Sequence, residues 1–162
     1  MIIEELKQKP TLFQLDVGAR QLSTDLLALE AESLWMDFCE LKKGTSDSEA
    51  ESTSLQEYKS LYNNVMSYMG IIADLIDDYV HDYDSFMNTT VPNTFLNGKI
   101  VAAREPAVNS IKDLENRAEL MESEKEKESL KNVIKKLREG VNENLNILRD
   151  IIDYDEKLRS VI

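Results

Sequence analysis

From Thr11 onward, apolar residues recur at helical spacing. Leu15, Leu22, Leu26, Leu29 and Met36 follow one another at steps of seven, four, three and seven, and Ala19 and Ser33 fill the turns between them. At 3.6 residues per turn these positions form one stripe, broadened near its end by Trp35 and Phe38. The spacing predicts a first helix from Phe13 to Leu41, about 40 Å long at the usual helical rise. Ahead of it, Met1 to Lys9 reads as a short amphipathic piece stopped by Pro10. Behind it, residues 43–54 hold one alanine and no larger apolar side chain, which predicts a solvated loop. Ser54, with Glu57 three residues on, reads as a capping box that opens the next helix.

The second helix is the most strongly patterned. Tyr58, Leu61, Tyr62, Val65, Tyr68, Met69, Ile72, Leu75, Ile76, Tyr79, Tyr83 and Phe86 recur every three or four residues, a rod of about 50 Å that ends ahead of Pro92. Residues 92–98 form the expected connector. A third stripe follows in Val101, Val108, Ile111, Leu114, Ala118 and Met121, with Pro106 at the first-turn position that tolerates proline. Residues 122–128 carry no apolar side chain and are either a turn or a bare charged helix surface. A fourth stripe runs through Leu130, Ile134, Leu137, Val141, Leu145, Leu148, Ile151, Ile152, Leu158 and Ile162. Asn144 and Asp155 sit where a strict heptad wants apolar residues, as polar intrusions do that either set register or mark a wet seam. The expected architecture is all-α: one elongated bundle of about four long antiparallel helices spanning residues 1–162. Because the last stripe still runs at Val161 and Ile162, we expect the chain to be the N-terminal part of a longer protein.

Composition narrows the functions such a bundle can serve. Five glycines and three prolines leave few tight turns, so a sheet-rich fold is disfavoured. Thirty-one acidic against nineteen basic side chains give a net charge of −12, the wrong sign for a phosphate backbone or an anionic membrane surface. Cys39 is the sole cysteine, so no disulfide forms within the chain. Neither a secretory signal peptide nor a transmembrane run of apolar residues is present, and no membrane insertion is expected.

Candidate chemistry is sparse. His81, the only histidine, lies in the acidic run from Asp77 to Asp84, and Asp77 and Asp78 share a helix face with it. A weak divalent-metal site and a solvated polar face are both readings of that run, and the second needs nothing more than charge pairing. Cys39 lies beside Trp35 and Phe38 with no nameable base, as a small buried hydrophobe would. No phosphate loop, nucleophile elbow or metalloprotease motif occurs. We therefore expect no enzyme activity, no cofactor and no metal.

The tyrosines carry more information, because five of the six lie on the second helix. They either line the edge of the core or dock partner helices, tyrosine being enriched at interface cores. The expected partner-binding face comprises Tyr58, Tyr62, Val65, Met69, Ile72, Ile76, Tyr79, Tyr83 and Phe86, backed by Leu137, Leu148 and Ile152 of the fourth helix. Met36, Met66, Met69 and Met121 add adaptable surface, with core filling as their default role.

The layout also resembles a known family. A leucine-striped helix leads to Leu34-Trp35-Met36-Asp37-Phe38, then a polar loop, then Leu55-Gln56-Glu57-Tyr58-Lys59-Ser60-Leu61-Tyr62. A long helix ends in Asp84-Ser85-Phe86, and a hairpin closes on Leu148-Arg149-Asp150-Ile151-Ile152-Asp153-Tyr154-Asp155. Over nearly its whole length the chain resembles the LXG domain, the helical N-terminal region of toxins exported by the type VII secretion system of Gram-positive bacteria. It departs from that pattern in reading Leu55-Gln56-Glu57 where the family has Leu-x-Gly; Leu96-Asn97-Gly98 falls in the connector instead. Trp35 is followed by Met36-Asp37 rather than by Trp-x-Gly, and Tyr154 has Leu158 where the Tyr-x-x-x-Asp/Glu export signal has an acid. The resemblance implies a hetero-complex with small helical partner proteins, which can supply the export signal in trans. It further implies synthesis in the bacterial cytoplasm, secretion through that machinery without a cleavable signal peptide, and a toxin region beyond Ile162. The alternative is a self-contained acidic immunity or regulatory protein that binds a basic protein target.

Overall fold

The computed structural model describes residues 12–45, 49–81 and 93–161. Among them the chain is all-α, in four helices: α1 (Leu12–Thr45), α2 (Glu49–His81), α3 (Asn93–Glu119) and α4 (Glu124–Val161). Cross-helix pairs fix the directions. Arg20 Nη1 meets Asp150 Oδ2 at 2.7 Å and Lys136 Nζ meets Glu30 Oε2 at 2.7 Å, so α4 runs antiparallel to α1. Trp35 stacks on Tyr62 and Phe13 meets Tyr79 edge-on, which makes α2 antiparallel to α1 as well. Arg117 pairs with Glu57 and Asn64 Nδ2 donates to Ser110 Oγ, setting α3 antiparallel to α2. α2 and α4 also touch across the bundle, whereas α1 and α3 share no contact among the described residues. The cross-section is thus a rhombus with α2 and α4 on its short diagonal.

That position explains the core. Tyr68, Ile72 and Ile76 of α2 and Leu130, Leu137, Ile147, Leu148 and Ile151 of α4 are among the largest fully buried side chains. Phe38 from α1 and Leu114 from α3 join them. Each diagonal helix has neighbours on several sides, so its apolar stripe is covered within the chain. Gly140 of α4 sits where three helices meet: a Cβ there would lie 2.3 Å from the terminal methyl of Met69 and 4.0 Å from Leu27. Gly70 of α2 is the opposite case, with no heavy atom within 4 Å of the place its Cβ would take. Since glycine in a helix interior is less favourable than alanine by about 1 kcal/mol, Gly70→Ala is expected to raise the melting temperature by about 2–4 °C. A thermal melt followed by circular dichroism checks this; a lower melting temperature would mean that the site is less open than described.

Several boundaries differ from the sequence expectation. The predicted loop 43–54 is mostly helix, since α1 continues to Thr45 and α2 already begins at Glu49. Ser54 therefore lies inside α2 and does not cap it. Glu49, Ala50 and Glu51 explain the extension, because acidic residues and alanine suit a first helical turn. A serine N-cap is found instead at Ser123, where the backbone N–H of Glu126 donates to Ser123 Oγ at 3.4 Å and that of Lys127 to the Ser123 carbonyl at 2.9 Å. This resolves residues 122–128 into a short turn followed by the start of α4. The connector expected at 92–98 is corrected too: α3 starts at Asn93, so Leu96-Asn97-Gly98 is helical and Pro106 lies inside the helix. Proline lacks the N–H that would bond the preceding turn. The described buried contacts of α3 (Ala107, Ser110, Ile111, Leu114, Ala118) all come after Pro106. Residues 82–92, where α2 was expected to end, lie outside the described residues.

Candidate protein-interaction surface

The expected partner face on α2 and α4 is interior. Tyr58, Tyr62, Val65, Met69, Ile72, Ile76, Tyr79, Leu137 and Leu148 are all buried, and Ile152 packs partly buried against them. The reason is the rhombic arrangement: the stripes on the diagonal helices meet each other and the inner faces of α1 and α3. Tyr83 and Phe86 lie outside the described residues. The tyrosine stripe is therefore corrected from an open docking face to the bundle's own core, matching the other reading that the tyrosines allowed.

Among the described residues, the large exposed apolar side chains lie on α1, apart from Leu120 in the turn after α3. Leu15, Leu22, Leu26, Leu29 and Met36 are 55, 67, 59, 61 and 61% exposed, and Leu12 extends the row at 86%. This is the stripe that the sequence pattern picked out, turned outward. The face turned inward is its opposite, with Gln14, Val17, Thr24, Ala31, Trp35 and Phe38 buried. Placing Trp35 and Phe38 on the leucine stripe is accordingly corrected, since at about 100° per residue they fall on the far side of the helix.

Aromatic anchors at both ends decide which face of α1 goes in. Near its C-terminal end Trp35 stacks on Tyr62 with ring centroids 4.5 Å apart, and Phe38 meets Tyr58 edge-on at 5.6 Å. At the other end Phe13 stacks on Tyr154 at 4.1 Å. Such rings bury more area than leucine and gain from their geometry besides. Between the anchors the buried positions Val17, Thr24 and Ala31 are small or polar, and α1 is fastened in part through hydrogen bonds. Gln14 Nε2 donates to the Tyr79 carbonyl and Gln21 Nε2 to the Ala73 carbonyl, both at 3.0 Å. The helix thus satisfies its polar inner groups while leaving its leucines in water.

Other candidate sites carry little chemistry. His81 Nε2 lies 3.7 Å from Asp77 Oδ1 in a pair with side chains 73 and 62% exposed, a solvated contact. Among the described residues, no group of three or more His, Cys, Asp or Glu side chains is placed to hold a metal ion. Cys39 is half-buried; burial pushes its thiol up, Lys43 and Lys59 pull it back, and Glu40 adds to the rise. That is the environment of an unreactive thiol. A cleft of about 490 Å³ near the turn between α3 and α4 has Lys42 and Arg117 in its lining. Both cations already face carboxylates, Lys42 that of Glu126 at 3.6 Å and Arg117 that of Glu57 at 2.8 Å. No helix is long and apolar enough to cross a membrane, counted over the described residues.

Tyr62 reports on the aromatic end of the bundle. Burial, followed by the nearby Glu32 and Cys39, pushes its phenol up to about 12. A phenol whose folded value is raised stabilises the fold fully below the unfolded value near 10, and that contribution is lost as pH rises toward 12. The native chain is expected to show a tyrosine that ionises with a midpoint near 12. Phenolate absorbance against pH measures this, and the late step should lose one tyrosine's amplitude in Tyr62→Phe, since burial raises the phenol of Tyr68 as well. A late step of unchanged amplitude in the variant would assign it to other tyrosines.

In comparisons with known proteins, no family model, no curated protein and no solved structure matches the chain.

Proposed function

We propose that this chain is a helical protein-interaction domain that binds small helical partner proteins. In line with its resemblance to LXG domains, it would deliver an attached toxin to the type VII secretion system, acting by binding and not by catalysis. The observation that carries the reading is the row of exposed leucines on α1. A single exposed leucine needs no explanation, but a row from Leu12 to Met36 at helical spacing is the kind of contiguous patch that marks an interaction surface. Its span is about 36 Å, enough to seat a helix of several turns.

The test is co-expression. The chain is produced with any small helical proteins encoded beside it, and the complex is sized by light scattering. A stoichiometric hetero-complex that forms only when α1 keeps its leucines supports the reading, as does loss of export of the attached region in Leu22→Glu/Leu29→Glu. A clean monomer that recovers no helical partner, and binds a basic protein in a salt-sensitive manner, would overturn it in favour of the immunity or regulatory reading.

A further inference from the structure

The exposed row on α1 is a heptad seam. Leu15, Leu22, Leu29 and Met36 repeat at intervals of seven, and Leu12, Ala19, Leu26 and Ser33 interleave with them at the alternate spacing of four and three. In coiled-coil terms the first set takes the d positions and the second the a positions. The flanking positions then follow from the sequence. Asp16, Ser23, Glu30 and Asp37 border one edge, and Gly18, Asp25, Glu32 and Cys39 the other. All five charged flanking residues are acidic and all five are exposed. The basic residues of α1 lie elsewhere: Arg20 is turned toward Asp150 of α4, Lys42 lies inward against Glu126, and Lys43 lies beyond the end of the row.

Charges at the flanking positions of a heptad seam choose its partner. A second copy of α1 would set acid against acid in either orientation, as like charges border both edges. Neighbouring elements do little to reverse this. Lys136 of α4 meets Glu30 at 2.7 Å on one edge, while on the other the acidic Asp77 of α2 lies close enough to push the Asp25 carboxyl upward, after the larger effect of burial.

We propose that the outer face of α1 docks one helix of another protein, one apolar at heptad spacing and bearing Lys or Arg at the flanking positions, and that it rejects a second copy of this chain. The inference rests on the reading of α1 as the partner-binding face and adds the chemistry of what binds there. α1 is already folded and fixed by the bundle, so only the incoming helix is ordered on binding. The leucines supply the affinity, and the acidic edges supply the choice.

The probes are two synthetic peptides of four heptads, with leucine at a and d and either Lys or Glu at e and g. Each is titrated into the full chain by calorimetry at low and high salt. The Lys-flanked peptide is expected to bind at least about tenfold more tightly than the Glu-flanked one, because several attractive pairs replace repulsive ones. That preference should shrink at high salt. Leu22→Glu/Leu29→Glu is expected to weaken binding of the Lys-flanked peptide about 100-fold while leaving the thermal melt in place, since both side chains are exposed. An association driven by charge alone would instead strengthen with two added carboxylates, and that result would overturn the proposal. Asp16→Lys/Asp25→Lys/Glu32→Lys is expected to reverse the peptide preference. Equal binding of both peptides, or a concentration-dependent homodimer abolished by Leu22→Glu/Leu29→Glu, would also overturn it. If the peptides discriminate as expected but no helical partner is recovered from cells, the docking chemistry stands and the secretion reading falls.

Discussion

Ile72→Ala is expected to lower the free energy of unfolding by about 4 kcal/mol, a large share of what a domain of this size possesses. Ile72 has no solvent exposure and sits on α2, one of the two helices of the short diagonal. Removing its branched side chain leaves a cavity among residues held on several sides, so little collapse can fill it. Leu22→Ala makes a comparable truncation at a residue 67% exposed, and alanine is the better helix former, so its effect should stay within about 0.5 kcal/mol. Urea titration followed by the fluorescence of Trp35, the sole tryptophan and itself buried, measures both. The arrangement of α1 and α2 described above fails if the two substitutions cost about the same.

Lys42→Ala is expected to cost about 3 kcal/mol. The Lys42 and Glu126 side chains are only 11 and 10% exposed, and the ammonium also lies 5.5 Å from the centre of the Tyr58 ring. Removing the cation leaves a largely desolvated carboxylate without that counter-charge, whereas removing both charges does not. The double variant Lys42→Ala/Glu126→Gln should therefore be more stable than Lys42→Ala alone. Urea midpoints of the two single variants and the double form the thermodynamic cycle. Strict additivity would show that the pair is not coupled and that the end of the bundle is wetter than its geometry indicates.

The helices were legible because period and composition agreed, and the stripes on α2 and α4 carried large apolar residues at nearly every turn. Orientation was harder to read. α1 is apolar on two sides, and periodicity says that a stripe exists without saying which way it faces. Angular placement of Trp35 and Phe38 against Leu15 and Leu22 would have separated the two faces, and the buried area of the aromatics would have ranked them. The same limit put the expected partner face on residues that the bundle buries, because a strongly patterned stripe is as well suited to a chain's own core as to a neighbour. The Ser-x-x-Glu signature occurs at both Ser54 and Ser123, and only the second follows a break in the helix. Asn144, singled out as a polar intrusion, is indeed buried, and its side-chain oxygen has no hydrogen-bond partner among the described residues. Tyr68 of α2 holds its hydroxyl in the same condition.

Because α1 and α3 share no contact among the described residues, whatever happens on the outer side of α1 reaches α3 by way of α2 and α4. Surface positions that are well separated and make no direct contact couple only weakly. A dye or affinity handle fixed to the solvent side of α3, at Lys112 or Asp113 for instance, should follow the molecule through any encounter without perturbing it. The same separation makes α3 the place to immobilise the chain on a sensor surface, with the leucines of α1 left facing the analyte.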